Sequence, residues 1–320
     1  MRIGNLELTG NVVLAPMAGV TDPPFRRLVQ SFGVSALWTE MISANGLVGA
    51  GACRTMDISG HRVPTIFQLY GKDPTILAEA ARRLQDYGAH AIDLNMGCPV
   101  KKVVKNGSGA ALMRDLPLAG RIVAAVRRAI TVPLTVKIRS GWDDKAPNAP
   151  ELAALAEAEG VDAVVIHSRS RSSGHSGPAS LSMIAAVKKA VKVPVIGNGG
   201  ILTEGDGAAM LARTGCDGVM VGRGTLGRPW FPAQVSERMG FAPPSRSGET
   251  TLFEVIREHY LDQLDLFEGL AGIRKMRKHL VWYSKGLRES ARFREQVVRL
   301  EDFNHIMEVV EDFFGDVAIK

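Results

Sequence analysis

What most constrains this chain is a rhythm: short, β-rich apolar runs recur at a steady interval, with helical patterns between them. The runs are Val12–Met17, Leu37–Ile42, Thr65–Tyr70, Ala91–Met96, Leu134–Arg139, Ala163–His167, Val193–Asn198 and Gly218–Val221. Most are continuously apolar rather than alternating, as parallel strands covered on both faces are. The helical patterns are Phe25–Phe32, Pro74–Tyr87, Leu118–Ile130, Pro150–Glu159, Leu181–Val191 and Thr203–Thr214, and the stretch around Gly46–Asp57 is less regular. Eight strands alternating with helices predict an α/β fold, a closed (β/α)8 barrel of the TIM type. The competing architecture is an open doubly wound sheet, whose dinucleotide-binding form carries a GxGxxG turn after its first strand. Here the first run ends in Ala15-Pro16-Met17-Ala18-Gly19, which argues against it. The 34 glycines and only 6% aromatic residues suit many tight strand-to-helix turns.

The alternation stops after Gly227-Arg228-Pro229-Trp230, and Gly240–Gly248 reads as a linker rich in Pro, Ser and Gly. From Thr251 onward the pattern is helical only. Two domains are therefore expected: a catalytic barrel over residues 1–240 and an all-helical domain over 241–320. The helical part concentrates charge. Between Arg274 and Arg294, the cations Arg274, Lys275, Arg277, Lys278, Lys285, Arg288, Arg292 and Arg294 meet a single acid, Glu289. Arg274, Lys278 and Lys285 fall near one helical stripe, and Arg277 and Arg288 near another. With a net charge of +6, this points to a phosphate-contacting surface for nucleic acid. The competing reading is a solvated face with partners in the acidic flanks. Substitutions there are expected to leave the barrel untouched.

Other classes are disfavoured. No apolar stretch reaches ~18 residues, so no membrane span is expected, and the N-terminus leads straight into a strand-like run rather than a signal peptide. The three cysteines, Cys53, Cys98 and Cys216, form no CxxC pair, and the seven histidines show no HxxxH spacing. That composition fits a reducing cytoplasm and offers no support for a metal site. A monomer is expected, although nothing in the sequence specifies the oligomeric state.

The strand ends carry the chemistry. The seventh ends in Asn198-Gly199-Gly200 and the eighth in Gly222-Arg223-Gly224. Loops after strands seven and eight of such barrels commonly bind phosphate, glycine lets backbone N–H groups approach it, and Arg223 adds a charge; the alternative is that these glycines only make tight turns. Gln68, Lys137 and His167 converge above the barrel. They supply the mixture a flavin ring needs, amide groups for its pyrimidine edge and a cation for its reduced anion. A buried ion pair at Lys137 or a hydrogen-bonded core histidine at His167 would be the structural alternatives. Cys98 sits in Asn95-Met96-Gly97-Cys98-Pro99, at the start of the long segment Gly97–Asp115, which also holds Lys101, Lys102, Lys105 and the small-residue run Gly107-Ser108-Gly109-Ala110-Ala111. Such a loop at the active face favours a chemical role for this thiol over simple burial. Cys216 looks like a packing residue.

These motifs resemble one known family. Ala15-Pro16-Met17-Ala18-Gly19-Val20-Thr21-Asp22, Asp93-Leu94-Asn95-Met96-Gly97-Cys98-Pro99, Lys137-Ile138-Arg139 and Asn198-Gly199-Gly200 look like those of the tRNA-dihydrouridine synthases. Met1-Arg2-Ile3-Gly4 and Arg277-Lys278-His279-Leu280-Val281-Trp282-Tyr283 resemble the bacterial B subgroup. The resemblance implies an FMN-dependent, NADPH-consuming reductase of uridine in the D-loop of tRNA. It implies that Pro16, Met17 and Ala18 lie against FMN, that Gln68, Lys137 and His167 bind its ring system, and that Asn198, Gly199, Gly200, Gly222 and Arg223 hold its phosphate. Asn95 would orient the uracil and Cys98 would be the general acid. Lys101, Arg274, Lys275, Arg277 and Lys278 are expected to contact the RNA. A reductase of free pyrimidines, a synthase acting on rRNA and a non-enzymatic RNA-binding module are the alternatives. After His167 the chain departs from the family pattern: Ser173 and His175 stand where a glutamine and an aromatic residue are typical, so substrate contacts from this loop are not implied.

Overall fold

The computed structural model describes residues 1–320 except 52, 175, 242–249, 316 and 320. Eight parallel strands form the ring: β1 (Val12–Leu14), β2 (Ala36–Trp38), β3 (Thr65–Tyr70), β4 (Ala91–Asn95), β5 (Leu134–Arg139), β6 (Ala163–His167), β7 (Val195–Asn198) and β8 (Gly218–Val221). Each pairs with the next and β8 pairs with β1, so the predicted barrel closes. Around it run α1 (Pro23–Phe32), α2 (Ala44–Ala50), α3 (Pro74–Tyr87), α4 (Lys101–Lys105), α5 (Leu116–Ala129), α6 (Ala149–Ala158), α7 (Leu181–Ala190), α8 (Gly205–Thr214) and α9 (Phe231–Arg238). Local chemistry sets many of the boundaries. Asp73 caps α3 by accepting from the N–H groups of Thr75 and Ile76, Pro74 occupies its first turn, and Gly88 ends it at φ 108°.

Four strands are shorter than their apolar runs: β4 and β7 by one or two residues, β1 and β2 by more. β1 stops at Leu14 because Pro16 has no N–H to extend the ladder beyond Ala15, whose N–H still reaches Val221 O at 2.8 Å. The second run, expected as Leu37–Ile42, is broken: Ala36–Trp38 is strand, and Ile42–Ser43 separately pairs with Leu69 and Tyr70. Thr39 and Glu40 lie in the break. The Thr39 hydroxyl accepts from Gln68 N–H at 3.1 Å, and the Glu40 carboxylate accepts from Gly19 N–H.

A hairpin not foreseen from sequence closes the opposite end of the barrel. Arg2–Ile3 pairs antiparallel with Leu6–Glu7. Ile3 and Leu8 are buried among inward-facing residues of the ring, including Val13, Ala36, Ile66, Ala91, Val165 and Ile196. Gly4, at φ 56°, packs so closely that a Cβ there would lie 2.9 Å from Asp162 Oδ1. The C-terminal mouth is the end of the barrel left open to a ligand among the described residues.

After α9 the chain continues as α10 (Leu252–Leu266), α11 (Leu270–Tyr283), α12 (Ser290–Val297) and α13 (Phe303–Phe314). Most of the proposed linker, residues 242–248, lies outside the described residues. Thr251 and Glu254 form a capping box at the start of α10. The helical core is continuous with the barrel wall: Val255, Ile256, Met276, Leu280 and Phe314 cluster with Leu28 and Phe32 of α1 and Ala233 of α9. Phe25 of α1 is fully buried against the rings of His259 and His279, a burial worth about 1.5–3 kcal/mol. Arg27 adds a two-pronged ion pair to Asp262 at 2.7 and 2.8 Å. Among the described residues no helix is long and apolar enough to cross a membrane.

Candidate active site

The C-terminal strand ends open onto a cavity of about 420 Å³, within the range of small-molecule sites. Pro16, Met17, Ala18, Gln68, Asn95, Cys98, Lys137, His167, Asn198, Gly199, Gly200, Gly222 and Arg223 all line it. Strand register explains much of this convergence. Asn95 lies opposite Lys137, and His167 lies opposite both Arg139 and Asn198. Lys137 and Arg139, two apart on β5, point to the same side.

A hydrogen-bond chain runs from the barrel interior to the Cys98 loop. Thr135 donates to Asp93 at 2.5 Å, and Gln68 Nε2 donates to the same carboxylate at 2.7 Å. Asn95 Nδ2 donates to Gln68 Oε1 at 2.8 Å, while Asn95 Oδ1 accepts from Gly97 N–H at 3.2 Å and Cys98 N–H at 2.9 Å. Asn95 therefore folds the Gly97-Cys98 turn and fixes the orientation of Gln68 at once. Beneath the turn, Gly109 comes so close that a Cβ there would lie 2.8 Å from Cys98 O, and Ala110 N–H donates to that oxygen at 3.0 Å. The small-residue run is thus the bed on which Cys98 rests. Its thiol is partly buried, and burial pushes its pKa up against the opposing pull of the Val100 backbone and the charges of Arg139 and Lys137. A thiol in that setting holds its proton at neutral pH.

The cations are placed with equal care. Lys137 donates to Asn198 Oδ1 at 2.9 Å, and Asn198 Nδ2 donates to Met220 O at 2.7 Å. Burial, reinforced by the Arg139 charge, pushes the Lys137 ammonium pKa down, and Asp93 opposes it. Two arginines absent from the sequence-based site also line the cavity. Arg139 bridges two loops, donating to Gly97 O at 2.7 Å and to Ser170 O and Gly174 O at 2.9 and 2.6 Å; burial lowers its pKa to about 10. Arg169 is 8% exposed and donates twice to Gly177 O. Both sit one pleat from residues already singled out, Arg139 after Lys137 and Arg169 after His167, and that two-residue spacing was the available signal. They brace the atypical loop after β6, of which His175 lies outside the described residues.

The basic residues of α11 go to different places. Lys278 donates to Gly19 O, on the turn that carries Met17 and Ala18. Lys275 lies 3.8 Å from the buried Asp22 and 4.0 Å from the centre of the Phe267 ring. Arg274 and Arg277 face Glu301 at 3.8 and 3.6 Å. The expectation that this helix leaves the barrel untouched is therefore corrected: the cations at 275 and 278 face acidic and carbonyl groups of the β1–α1 turn. Lys101, with Lys102 and Lys105, is exposed on α4 beside the cavity and has no ion pair among the described residues. Cys216 is buried in the barrel wall, as expected. Among the described residues no three His, Cys, Asp or Glu side chains gather as metal ligands.

With this geometry in place, similarities to known proteins become informative. The family profile described as dihydrouridine synthase (Dus) matches residues 13–317. The chain is 42% identical to a probable tRNA-dihydrouridine synthase of Rickettsia bellii, over 99% of this chain and 98% of that one. It is 41% identical to tRNA-dihydrouridine synthase B of Xanthomonas campestris, over 98% and 96% of the two chains. Among solved structures, it is similar to histamine dehydrogenase from Rhizobium sp. 4-9, with a TM-score of 0.56 and 14% identity, covering 88% of this chain and 50% of that one. It is also similar to an amine oxidase from Pseudomonas geniculata, with a TM-score of 0.60 and 12% identity, covering 76% and 50%. At such low identity these two report the fold alone.

Proposed function

Because the chain belongs to the dihydrouridine synthase family, we propose that it reduces the C5=C6 bond of a uridine in the D-loop of tRNA, with FMN held in the barrel mouth and NADPH as the source of electrons. The observation that carries this most is that the Cys98 thiol, whose pKa burial raises, opens on the same cavity as Lys137, Gln68 and His167. A flavin reductase of an unsaturated base needs that combination of acid and ring-binding groups.

The residues present fit a flavin nucleotide. Pro16, Met17 and Ala18 would lie against its ring, and Gln68, Lys137 and His167 would bind its polar edge. Asn198, Gly199, Gly200, Gly222 and Arg223 would hold its phosphate arm; Gly199 and Gly200 adopt φ 110° and 80°, where a side chain is strained and would occupy the cradle. When bound and reduced, a flavin supplies hydride to C6 of the base. Cys98 then delivers a proton to C5 and is left as a thiolate, which the charges of Lys137 and Arg139 stabilise. Asn95 holds the Cys98 turn in place and stands at the cavity to orient the uracil. The base leaves its stack to enter the mouth. Phosphates of the folded RNA would meet Lys101 and its neighbours on α4, and the basic residues Arg274, Lys275, Arg277 and Lys278 of α11.

The test is nucleoside mass spectrometry with site mapping on tRNA and rRNA from cells lacking the gene, restored with wild type or Cys98→Ala. Dihydrouridine that returns to tRNA with wild type alone supports the proposal. Its return to rRNA, or to neither while free uracil is reduced, assigns a different substrate.

A further inference from the structure

The cavity is lined by four cations, Lys137, Arg139, Arg169 and Arg223, and by no aspartate or glutamate among the described residues. Lys137 and Arg139 have roles beside Cys98. Arg169 does not. Two of its nitrogens, Nε and Nη2, donate to Gly177 O at 2.9 and 2.8 Å. The third, Nη1, is buried and has no hydrogen-bond partner among the described residues. An unmade hydrogen bond on a buried charged group is costly, and more so than on a neutral one.

The direction of Nη1 says what is missing. A Cβ built on Gly199 would lie 3.2 Å from it and 3.5 Å from His167 Nε2. Nη1 therefore faces the glycine turn after β7, on the cavity side. Arg223, at the start of the turn after β8, lines the same cavity, and burial together with the Arg223 charge lowers the Arg169 pKa. Two guanidinium groups that repel one another while lining one cavity, one of them with an open donor at a glycine turn, suit a multiply charged anion. A phosphate monoester carries nearly two negative charges at neutral pH and several acceptor oxygens, so it can take Nη1, the Arg223 guanidinium and backbone N–H groups together. A carboxylate offers one charge and two oxygens.

We propose that Arg169 is a direct ligand of the terminal phosphate of the flavin and, with Arg223, makes the site select the phosphorylated flavin over the unphosphorylated one. This rests on the flavin reading above. Arg169 holds the loop after β6 with one edge of its guanidinium and the phosphate with the other.

The test is a thermodynamic cycle on the full-length apoprotein, with FMN and riboflavin titrated by fluorescence quenching into wild type, Arg169→Met and Arg169→Lys. Wild type should prefer FMN strongly. Arg169→Met should narrow the FMN-to-riboflavin affinity ratio by roughly ten- to a hundredfold, weakening FMN by that much more than riboflavin, and Arg169→Lys should recover part of the ratio. A role confined to bracing the loop would weaken both ligands by the same factor, and that outcome, or an unchanged ratio, overturns the proposal. If wild type binds neither flavin, the flavin reading itself falls. Inorganic phosphate then tests Arg169 alone: loss of phosphate binding in Arg169→Met keeps the anion site, and its retention removes it.

Discussion

Cys98 has to hold a proton in a cavity crowded with positive charge, and burial wins over those charges in setting its pKa. Removing the thiol should leave the cofactor site standing. Cys98→Ala is expected to retain flavin and oxidise NADPH normally while forming dihydrouridine about 10²–10⁴-fold more slowly, the range for losing a general acid; full activity on purified tRNA would exclude the role. The pH dependence follows from the same shift. A raised thiol pKa keeps the acid form through neutral pH, so the Cys98-dependent step should stay level across pH 7–8 and decline only above the ordinary thiol value of about 8.5. A decline that begins below neutrality would assign the proton to another group. Asn95→Ala tests the support of the turn. It removes the acceptor of the Gly97 and Cys98 N–H groups, and a displaced acid should cut kcat by about 10²-fold. A rise in KM for tRNA at unchanged kcat would instead show that Asn95 acts chiefly by binding the base.

At the scale of elements, the β1–α1 turn is the joint on which the two parts of the molecule meet. Gly19 donates to Glu40 from the break in the second strand and accepts from Lys278 of α11. Asp22 caps α1, accepts from Gln263 of α10 at 3.1 Å and faces Lys275. Burial raises the pKa of both carboxylates, Asp22 and Glu40, and the nearby lysines offset that cost. The helical part therefore helps hold the turn that bears Met17 and Ala18. Lys278→Ala should accelerate flavin loss on dilution several-fold. Arg274→Ala should not, since among the described residues that side chain forms a long ion pair with Glu301 and none with the turn. Equal flavin retention in the two variants would show that the turn is held by the barrel alone.

For the whole molecule, the charge pattern and the buried histidines make separate predictions. If RNA lies across the mouth, the exposed α4 lysines should bind more of its phosphates than Arg274 and Arg277, which already face Glu301. Lys101→Ala/Lys105→Ala should flatten the log–log salt dependence of tRNA binding by about 0.9 for each phosphate no longer neutralised, more than Arg274→Ala/Arg277→Ala does. The reverse ranking, measured at several salt concentrations, would return the grip to α11. The joint itself should be acid-sensitive. His259 and His279 are buried at 4.5 Å between ring centres; burial lowers the pKa of His259 to about 3, and burial with the charges of His259, Lys278 and Lys275 lowers that of His279 well below its usual value. Both are neutral when folded but bind protons once unfolded, so stability should be lost as pH falls below about 6.5, by up to about 2 kcal/mol per histidine at pH 5. Thermal unfolding between pH 7 and 5 checks this, and a His259→Gln variant should lose less stability over that range.

Strand order, the closing of the barrel and the residues of its mouth were legible in the sequence because each depends on local signals. Continuous apolar runs mark buried parallel strands, and a strand end places its last side chains at the mouth wherever the ring closes. Cys98, Lys137 and the glycine turns could be found on those grounds. The polar pair Thr39-Glu40 interrupts the second run in the sequence, but only the fold shows that it breaks the strand, with the Glu40 carboxylate drawn out to the distant Gly19 N–H. The N-terminal hairpin was missed because its two-residue strands are too short for any period. What α11 does with its lysines was decided only by folding. Net charge and helical spacing predict a basic face, but they cannot say that Lys278 lies against Gly19, a pairing across 259 residues of chain. Arg169 is the same case: its charge is plain in the sequence, and the open donor that gives it meaning exists only once Gly177 has taken the rest of the guanidinium and Gly199, having no side chain, leaves room beside it.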